Sequence, residues 1–315
     1  MKRIAITGAA GFIGSHLTEE LLARNIKVSG IDNFCNFYDP ATKRKNLEGA
    51  LKSKLFALTE GDIRDPAVLK DTVSGCDAVV HLAAMAGVRP SMKDPDLYRD
   101  VNINGTRGVL SACRQAGVRN IIFASSSSVY GNNQKVPFAE SDPVDNPQSV
   151  YAETKLAAEN LCKESNVKYG LDITCLRLFT VYGPRQRPDL AICKFSRLIL
   201  DDQPIPFFGD GSMERDHTYI GDILSGLQSA IDNNPGCGFR TINLGSDRPV
   251  RLDALLDAIE KALGKKAVLD RQPVPQGDVR RTWADLTRAR DLLGYEPRTT
   301  LEDGLKRFVA WLRSG

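Results

Sequence analysis

Short apolar, β-branched runs alternate with longer stretches of helical periodicity through the first half of the chain. Arg3–Thr7, Lys27–Asp32, Leu55–Leu58, Ala78–Leu82, Asn120–Ser125 and Ile173–Leu178 have strand character. Between them, Phe12–Arg24, Ala67–Thr72, Tyr98–Ala116 and Val150–Tyr169 repeat apolar residues at helical spacing. Strands apolar on both faces and separated by helices predict a parallel sheet covered on both sides. Right-handed crossovers then give a doubly wound α/β domain. After about Phe179 the pattern changes, and Pro184, Pro188, Pro204 and Pro206 punctuate a loop-rich stretch. A helix over Asp222–Asp232, a strand near Thr241–Leu244 and helices over Leu252–Leu263 and Leu301–Leu312 complete the expected elements. The expected organisation is a larger α/β unit from residues 1–178 and 218–245, interleaved with a smaller α/β unit from residues 179–217 and 246–315.

Composition narrows the picture mainly by exclusion. The 315 residues carry 42 Lys plus Arg against 39 Asp plus Glu, a formal charge of +3, with 42% hydrophobic and 26% charged residues. These are values of a folded domain, not of a disordered or low-complexity chain. So even a balance offers no global attraction for nucleic acid or a membrane surface, and neither is expected as a partner. No run approaches the ~20 apolar residues of a membrane span. The seven cysteines form no C-x-x-C pair, and His16, His81 and His217 are far apart. Reduced thiols in a cytoplasmic protein without a structural metal are the expectation.

Chemistry enters at the end of the first strand. Thr7-Gly8-Ala9-Ala10-Gly11-Phe12-Ile13-Gly14 joins that strand to the first helix with G-x-x-G-x-x-G spacing. Gly8 suits a tight turn, Gly11 the approach of backbone to a pyrophosphate, and Gly14 close packing of helix on strand. The helix start then offers free N–H groups and a positive dipole end to phosphate. Asp32 closes the second strand, where a carboxylate accepts bonds from the adenosine ribose hydroxyls and repels a 2′-phosphate. A Rossmann-type site for NAD, and not NADP, follows. Asp62, after the third strand, is placed to meet the adenine edge, an exposed loop acid being the alternative reading.

Tyr151 and Lys155 stand at i and i+4 in a helical pattern, on one face. There the Lys155 ammonium is expected to favour the Tyr151 phenolate and lower its pKa, making a general base for a sugar hydroxyl. The pair follows the serine run Ser125-Ser126-Ser127-Ser128-Val129-Tyr130-Gly131 at a strand end, where α/β sheets place their chemistry.

With the glycine turn, these residues resemble the extended short-chain dehydrogenase/reductase family, and within it the nucleotide-sugar 4-epimerases. His81-Leu82-Ala83-Ala84, Asn102 with Gly105-Thr106, Arg215-Asp216 and Gly277-Asp278-Val279 extend the likeness over essentially the whole chain. The resemblance implies that Phe12, Ile13, Asn33, Ile63, Leu82, Ala83, Ala84 and Asn102 join the glycines, Asp32 and Asp62 around NAD. It implies that Tyr151 removes the O4 proton of the sugar as the C4 hydride leaves, that Ser126 holds O4, and that Lys155 also holds the nicotinamide ribose. A homodimer through Tyr98–Ala116 and Val150–Tyr169 is implied in the same way.

The dehydratases that share this pattern carry Asp-Glu after the catalytic Ser/Thr, and the decarboxylases usually carry Glu at the position of Ser128. Here Ser127 and Ser128 are neutral, which favours epimerisation, since a hydroxyl does not replace a carboxyl acid/base at neutral pH. The stretches His81–Arg89 and Phe179–Ala191 are most similar to UDP-glucuronate 4-epimerases. That likeness implies a sugar carboxylate held by Ser127, Thr180 and Arg185; Ser128 and Arg89 are also expected among the substrate-binding residues. Arg215, Arg280, Asp278 and Phe208 are implied for the UDP half. Met85 and His217 stand where that group has Gln and an aromatic, and read as wall and structural residues respectively. UDP-glucose and UDP-N-acetylglucosamine 4-epimerases are the alternatives; a UDP-glucuronate decarboxylase and a non-catalytic NAD-binding sensor rank below them.

Overall fold

The computed structural model describes residues 2–274 and 279–314. Its main sheet takes β1 (Arg3–Thr7), β2 (Lys27–Asp32), β3 (Phe56–Glu60), β4 (Ala78–His81), β5 (Asn120–Ser126), β6 (Asp172–Leu178) and a later strand, β10 (Phe239–Leu244). They lie in the order β10-β6-β5-β4-β1-β2-β3, every neighbouring pair parallel. Successive residues of each strand face opposite layers. Ile4, Ile6, Val80, Ile122 and Leu176 join one apolar core, and Ala5, Val79, Ile121, Phe123, Ile173 and Cys175 the other. That is why the strands read as unbroken apolar runs. The sequence order reverses direction between β1 and β4, the switch point at which doubly wound sheets open a crevice beyond their strand ends.

The helices of the first half are α1 (Phe12–Ala23), α2 (Pro40–Leu47), α3 (Pro66–Val73), α4 (Val88–Lys93), α5 (Pro95–Arg99), α6 (Gly105–Ala116) and α7 (Val150–Tyr169). The pattern over Tyr98–Ala116 predicts one helix, but α5 and α6 are joined by a π-helical turn over Asp100–Asn104. Its extra residue turns Asn102 inward, where Oδ1 accepts from Met85 N (2.8 Å) and Nδ2 donates to Met85 O (3.0 Å).

The second half has more structure than its periodicity predicts. Strands β7 (Thr180–Tyr182), β9 (Glu214–Tyr219) and β11 (Pro249–Arg251) form a three-stranded sheet, and β8 (Ile205–Phe208) pairs with β12 (Leu269–Gln272). Helices α8 (Ala191–Leu200), α9 (Ile220–Asp232), α10 (Leu252–Leu263), α11 (Thr287–Leu293) and α12 (Leu301–Arg313) complete the chain. The segment Glu214-Arg215-Asp216-His217-Thr218-Tyr219 is too polar to read as a strand. Its buried Asp216 is satisfied by the backbone of Ser246, Asp247 and Ala284, contacts that exist only in the folded chain.

Among the described residues the seven cysteines are free thiols, no His/Cys/Asp/Glu group has metal-binding geometry, and no helix is long and apolar enough to cross a membrane.

Two buried histidines give the fold a specific acid sensitivity. Burial pushes both His81 and His217 down to about 3 from an ordinary 6.5. Below pH 6.5 the unfolded chain takes up protons that the folded one refuses. Stability is therefore lost as pH falls from 6.5 toward 3, by about 2 kcal/mol per histidine at pH 5. Urea unfolding at pH 7 and pH 5 checks this, and His217→Gln is expected to shrink the loss by about 2 kcal/mol.

Candidate active site

A continuous cavity of about 750 Å³ runs along the C-terminal ends of β1, β2, β4, β5 and β6, with Gly8, Asp32, Thr180, Arg187 and Arg215 among its lining residues. It falls in the size range of ligand clefts.

Its first wall is the turn from β1 into α1. Gly8 has φ +72°, and a Cβ there would lie 2.9 Å from Ala83 N. A Cβ on Gly14 would lie 2.1 Å from Gly8 O, so only glycine lets α1 pack onto the turn. Gly11 caps α1 with no side-chain bond. The first N–H groups of the helix thus remain available to an anion. Gly8, Gly11, Phe12, Ile13 and Gly14 all line the cavity.

Asp32 is buried, and its carboxylate is aimed by two backbone donors, Ala10 N (3.0 Å) and Phe34 N (2.9 Å). Burial raises its pKa, opposed by those two bonds and by the charge of Lys43. Asp62 accepts from Arg64 and from Asn33 Nδ2 (3.0 Å), and the Arg64 hydrogen bonds hold it down at about 2. Asn33, Asp62 and Ile63 line the cavity together with Leu82, Ala83 and Ala84.

Thr7, His81 and Thr106 brace this wall from behind. Thr106 Oγ1 donates to Asn102 O (2.6 Å), so it accepts from His81 Nε2 (3.0 Å). His81 Nδ1 then accepts from Thr7 Oγ1 (2.7 Å), which itself accepts from Ala83 N (3.1 Å). The chain of bonds defines a neutral imidazole protonated at Nε2. Asn102, expected against the cofactor, is not among the lining residues. Its π-helical turn aims it at the Met85 peptide and at Thr154 Oγ1 (3.0 Å), so it shapes the wall from outside.

The opposite wall holds the reactive side chains. Ser126 ends β5, and its Oγ accepts from Ser128 N (3.2 Å) as the chain turns through Ser127–Tyr130. Tyr151 lies in the first turn of α7, which Ser149 caps through Ala152 N (3.2 Å). Lys155, one turn on, donates from Nζ to Ala124 O (2.8 Å), with Nζ 5.9 Å from the Tyr151 ring centroid. Ser126, Tyr151 and Lys155 all face the cavity.

The electrostatics correct one expectation. Burial raises the Tyr151 phenol above its usual 10.0, and what pulls it back is the Ser126 hydrogen bond and then the charge of Arg187. Lys155 is itself pushed down to about 8 by burial, and one of its three N–H donors is spent on the Ala124 carbonyl. In this arrangement it anchors α7 to β5 more than it acidifies the phenol.

The sugar end brings a second correction. Ser127, Ser128 and Thr180 line the cavity, and the buried Ser128 Oγ has no hydrogen-bond partner. Arg185 does not line it. With φ +62° its side chain swings back onto α1, where it donates to Glu19 Oε1 (2.8 Å), beside His16 Nε2 against Pro184 O (2.9 Å). Arg187 takes the inward place. It is bonded to both Asp189 oxygens (2.9 and 2.8 Å) and lies 5.3 Å from the centroid of the Phe37 ring.

Arg215 lines the cavity, whereas Arg280, Arg89 and Phe208 are not among the lining residues. Arg89 instead stacks over the Phe208 ring, 4.5 Å from its centroid. Asp278 lies outside the described residues. Met85 forms part of the wall, and His217 is buried edge-on against Tyr182, as expected for wall and structural residues.

Two further lining residues carry no signal that sequence reasoning used. Lys43 reaches from α2 to bond Cys35 O (2.8 Å) and lies over the Tyr38 ring. In Arg185-Gln186-Arg187, residue type alone does not separate the inward arginine from the outward one; the positive φ at Arg185 does.

A family model described as the NAD dependent epimerase/dehydratase family matches residues 4–245. The chain is 42% identical to the UDP-glucuronate 4-epimerase of Thermodesulfobacterium geofontis, covering 97% of this chain and 94% of that one. It is 43% identical to UDP-glucuronate 4-epimerase 1 of Arabidopsis thaliana, over 99% of this chain and 76% of that protein. A crystal structure of the UDP-glucuronic acid 4-epimerase from Bacillus cereus, in complex with UDP-glucuronic acid and NAD, superposes with a TM-score of 0.94 at 36% identity, covering 99% of both chains.

Proposed function

This chain belongs to the NAD dependent epimerase/dehydratase family, and from that premise we propose that it epimerises a UDP-sugar at C4, converting UDP-glucuronate to UDP-galacturonate. The observation that carries this reading is the meeting of Ser126, Tyr151 and Lys155 on one wall of a cavity whose other wall is the glycine turn. Neutral Ser127 and Ser128 stand where elimination chemistry needs a carboxyl group.

The residues fit NAD. The uncapped start of α1 beside Gly8, Gly11 and Gly14 suits a pyrophosphate, and the aimed carboxylate of Asp32 suits ribose hydroxyls. Phe12, Ile13, Asn33, Asp62, Ile63, Leu82, Ala83 and Ala84 would complete the binding surface. NAD, when bound, takes up and returns a hydride at the sugar carbon.

The protein's own part is proton transfer and orientation. Tyr151 takes the O4 proton and gives it back, and Ser126 bonds both the phenol and O4 so that the proton has a short path. Lys155, held on Ala124 O, positions the cofactor ribose. Oxidation at C4 of a uronic acid creates a β-keto acid, which loses CO2 when its carboxylate turns perpendicular to the carbonyl plane. Ser127, Ser128, Thr180 and Arg187 surround the sugar end and supply donors that restrain that turn. Arg215 takes the diphosphate, with Arg280, Arg89 and Phe208 assigned to the nucleotide rim, and the role of meeting the uridine ribose is kept for Asp278.

We also infer a cytoplasmic homodimer built through α6 and α7. Residues 1–178 with 218–245 serve as the dinucleotide unit, and the remainder as the nucleotide-sugar unit. Met85 in the wall, apolar where uronate epimerases carry Gln, favours UDP-glucose as the second reading.

Purified protein incubated separately with UDP-glucuronate and UDP-glucose, followed by proton NMR, decides between them. A galacturonate anomeric signal in the first tube alone is the expected result. Turnover of UDP-glucose alone would keep the proton chemistry and discard the carboxylate pocket.

A further inference from the structure

Beneath the reactive wall lies a buried carboxylate that the mechanism above leaves without a task. Glu159 sits one turn beyond Lys155 on α7 and is 4% exposed. Its Oε1 accepts from Ser125 Oγ (2.5 Å) and Arg177 Nε (3.0 Å), and its Oε2 from Arg177 NH2 (2.8 Å). Ser125 and Arg177 are cross-strand partners at the ends of β5 and β6. Three elements therefore converge on one side chain: the strand ending in Ser126, its neighbour, and the helix bearing Tyr151 and Lys155. The chain of contacts continues outward, with Arg177 over the Tyr130 ring and Tyr130 OH donating to Asn243 Oδ1 in β10 (2.7 Å).

We propose that Glu159 is a positioning residue for the reaction: its carboxylate ties the end of β5, which carries Ser126, to the helix that carries Tyr151 and Lys155. A buried ion pair is a poor device for stability alone, because well-packed apolar residues of similar volume serve as well or better. What the carboxylate adds is a directional tie at Ser125, the residue between the carbonyl that anchors Lys155 and the serine that favours the ionised form of Tyr151.

Its charge acts in the same direction. Lys155 is faced by Glu159 and Cys162 from its own helix, by Cys175 from β6 and by His81 from β4, with Arg177 just beyond Glu159 and the Phe123 ring 5.0 Å away. Burial drives its pKa down; Cys162, then Glu159 and Cys175, oppose it, and among these Glu159 is the carboxylate.

The proposal rests on reading Ser126, Tyr151 and Lys155 as the catalytic set. Glu159→Gln keeps the shape of the side chain and removes its charge. Two quantities are measured across the alkaline range: steady-state turnover of the sugar nucleotide, and NADH affinity by fluorescence without sugar. We expect kcat to fall about tenfold with KM within about twofold, and the alkaline limb of both profiles to move about one pH unit toward acid. A double variant, Glu159→Gln with Arg177→Met, removes the unpaired cation and is expected to regain thermal stability without regaining kcat.

Recovery of both would mean that the pair serves folding only and would overturn the proposal. So would superimposable pH profiles for Glu159→Gln and the parent. Should Glu159→Gln not fold, Ser125→Ala cuts the tie to β5 and leaves the ion pair. It is expected to lower kcat severalfold at unchanged thermal midpoint, and wild-type kcat there is the overturning result. If the parent turns over no UDP-glucuronate, the substrate reading fails, while the NADH limb still decides the role of Glu159.

Discussion

Replacing Tyr151 with Phe is expected to reduce epimerisation by about 10³-fold, in the range that general acid–base catalysis contributes. Fold and NADH binding should be left intact. The ring fills the same space between Lys155 and the cavity, so packing is preserved, and only the hydroxyl, whose ionised form Ser126 favours, is lost. Without it the O4 proton has no acceptor of suitable basicity in reach, because Lys155 is an ammonium at neutral pH and has no lone pair to offer. Progress curves by NMR, with circular dichroism as the control for folding, check the result. A variant retaining a tenth or more of the parent rate would remove Tyr151 from proton transfer and direct attention to Ser126.

Arg187→Ala is the second large effect. The guanidinium is fixed by both oxygens of Asp189 and by the Phe37 ring, so it is already oriented before any sugar arrives. Loss of a preorganised charged donor is expected to lower kcat/KM for UDP-glucuronate by about 10²-fold and to change UDP-glucose far less. Release of a decarboxylated pentose nucleotide alongside the epimer is the second expected sign, since the carboxylate is then free to rotate. Arg185→Ala makes the contrast. It breaks the contact with Glu19 on α1 and is expected to leave the ratio of acid to neutral sugar unchanged. Equal effects of the two variants on that ratio would sink the assignment.

The parts of this protein that can be read along the chain are those where one local requirement selects one residue type. The six strands expected in the first half are present with ends shifted by at most two residues; the central ones are buried on both faces and have few polar positions to blur them, and the largest shift falls on the half-exposed edge strand β3. Gly8 and Gly14 are legible because a Cβ would strike backbone that itself has nowhere to move. Tyr151 and Lys155 share a face because α-helix geometry puts i and i+4 there whatever surrounds them.

Elsewhere the decision belongs to the tertiary structure. The polar strand Glu214–Tyr219 forms because distant backbone satisfies Asp216, and the break over Asp100–Asn104 exists because Asn102 holds the Met85 peptide. Which arginine of the Pro-rich loop enters the cavity is set by one backbone angle at Arg185 and its contact with Glu19, 166 residues away. The protonation behaviour of Tyr151 and Lys155 is likewise a property of the folded interior. Spacing brings the two side chains together, but burial is the dominant influence on both, and burial is decided by every element packed around them.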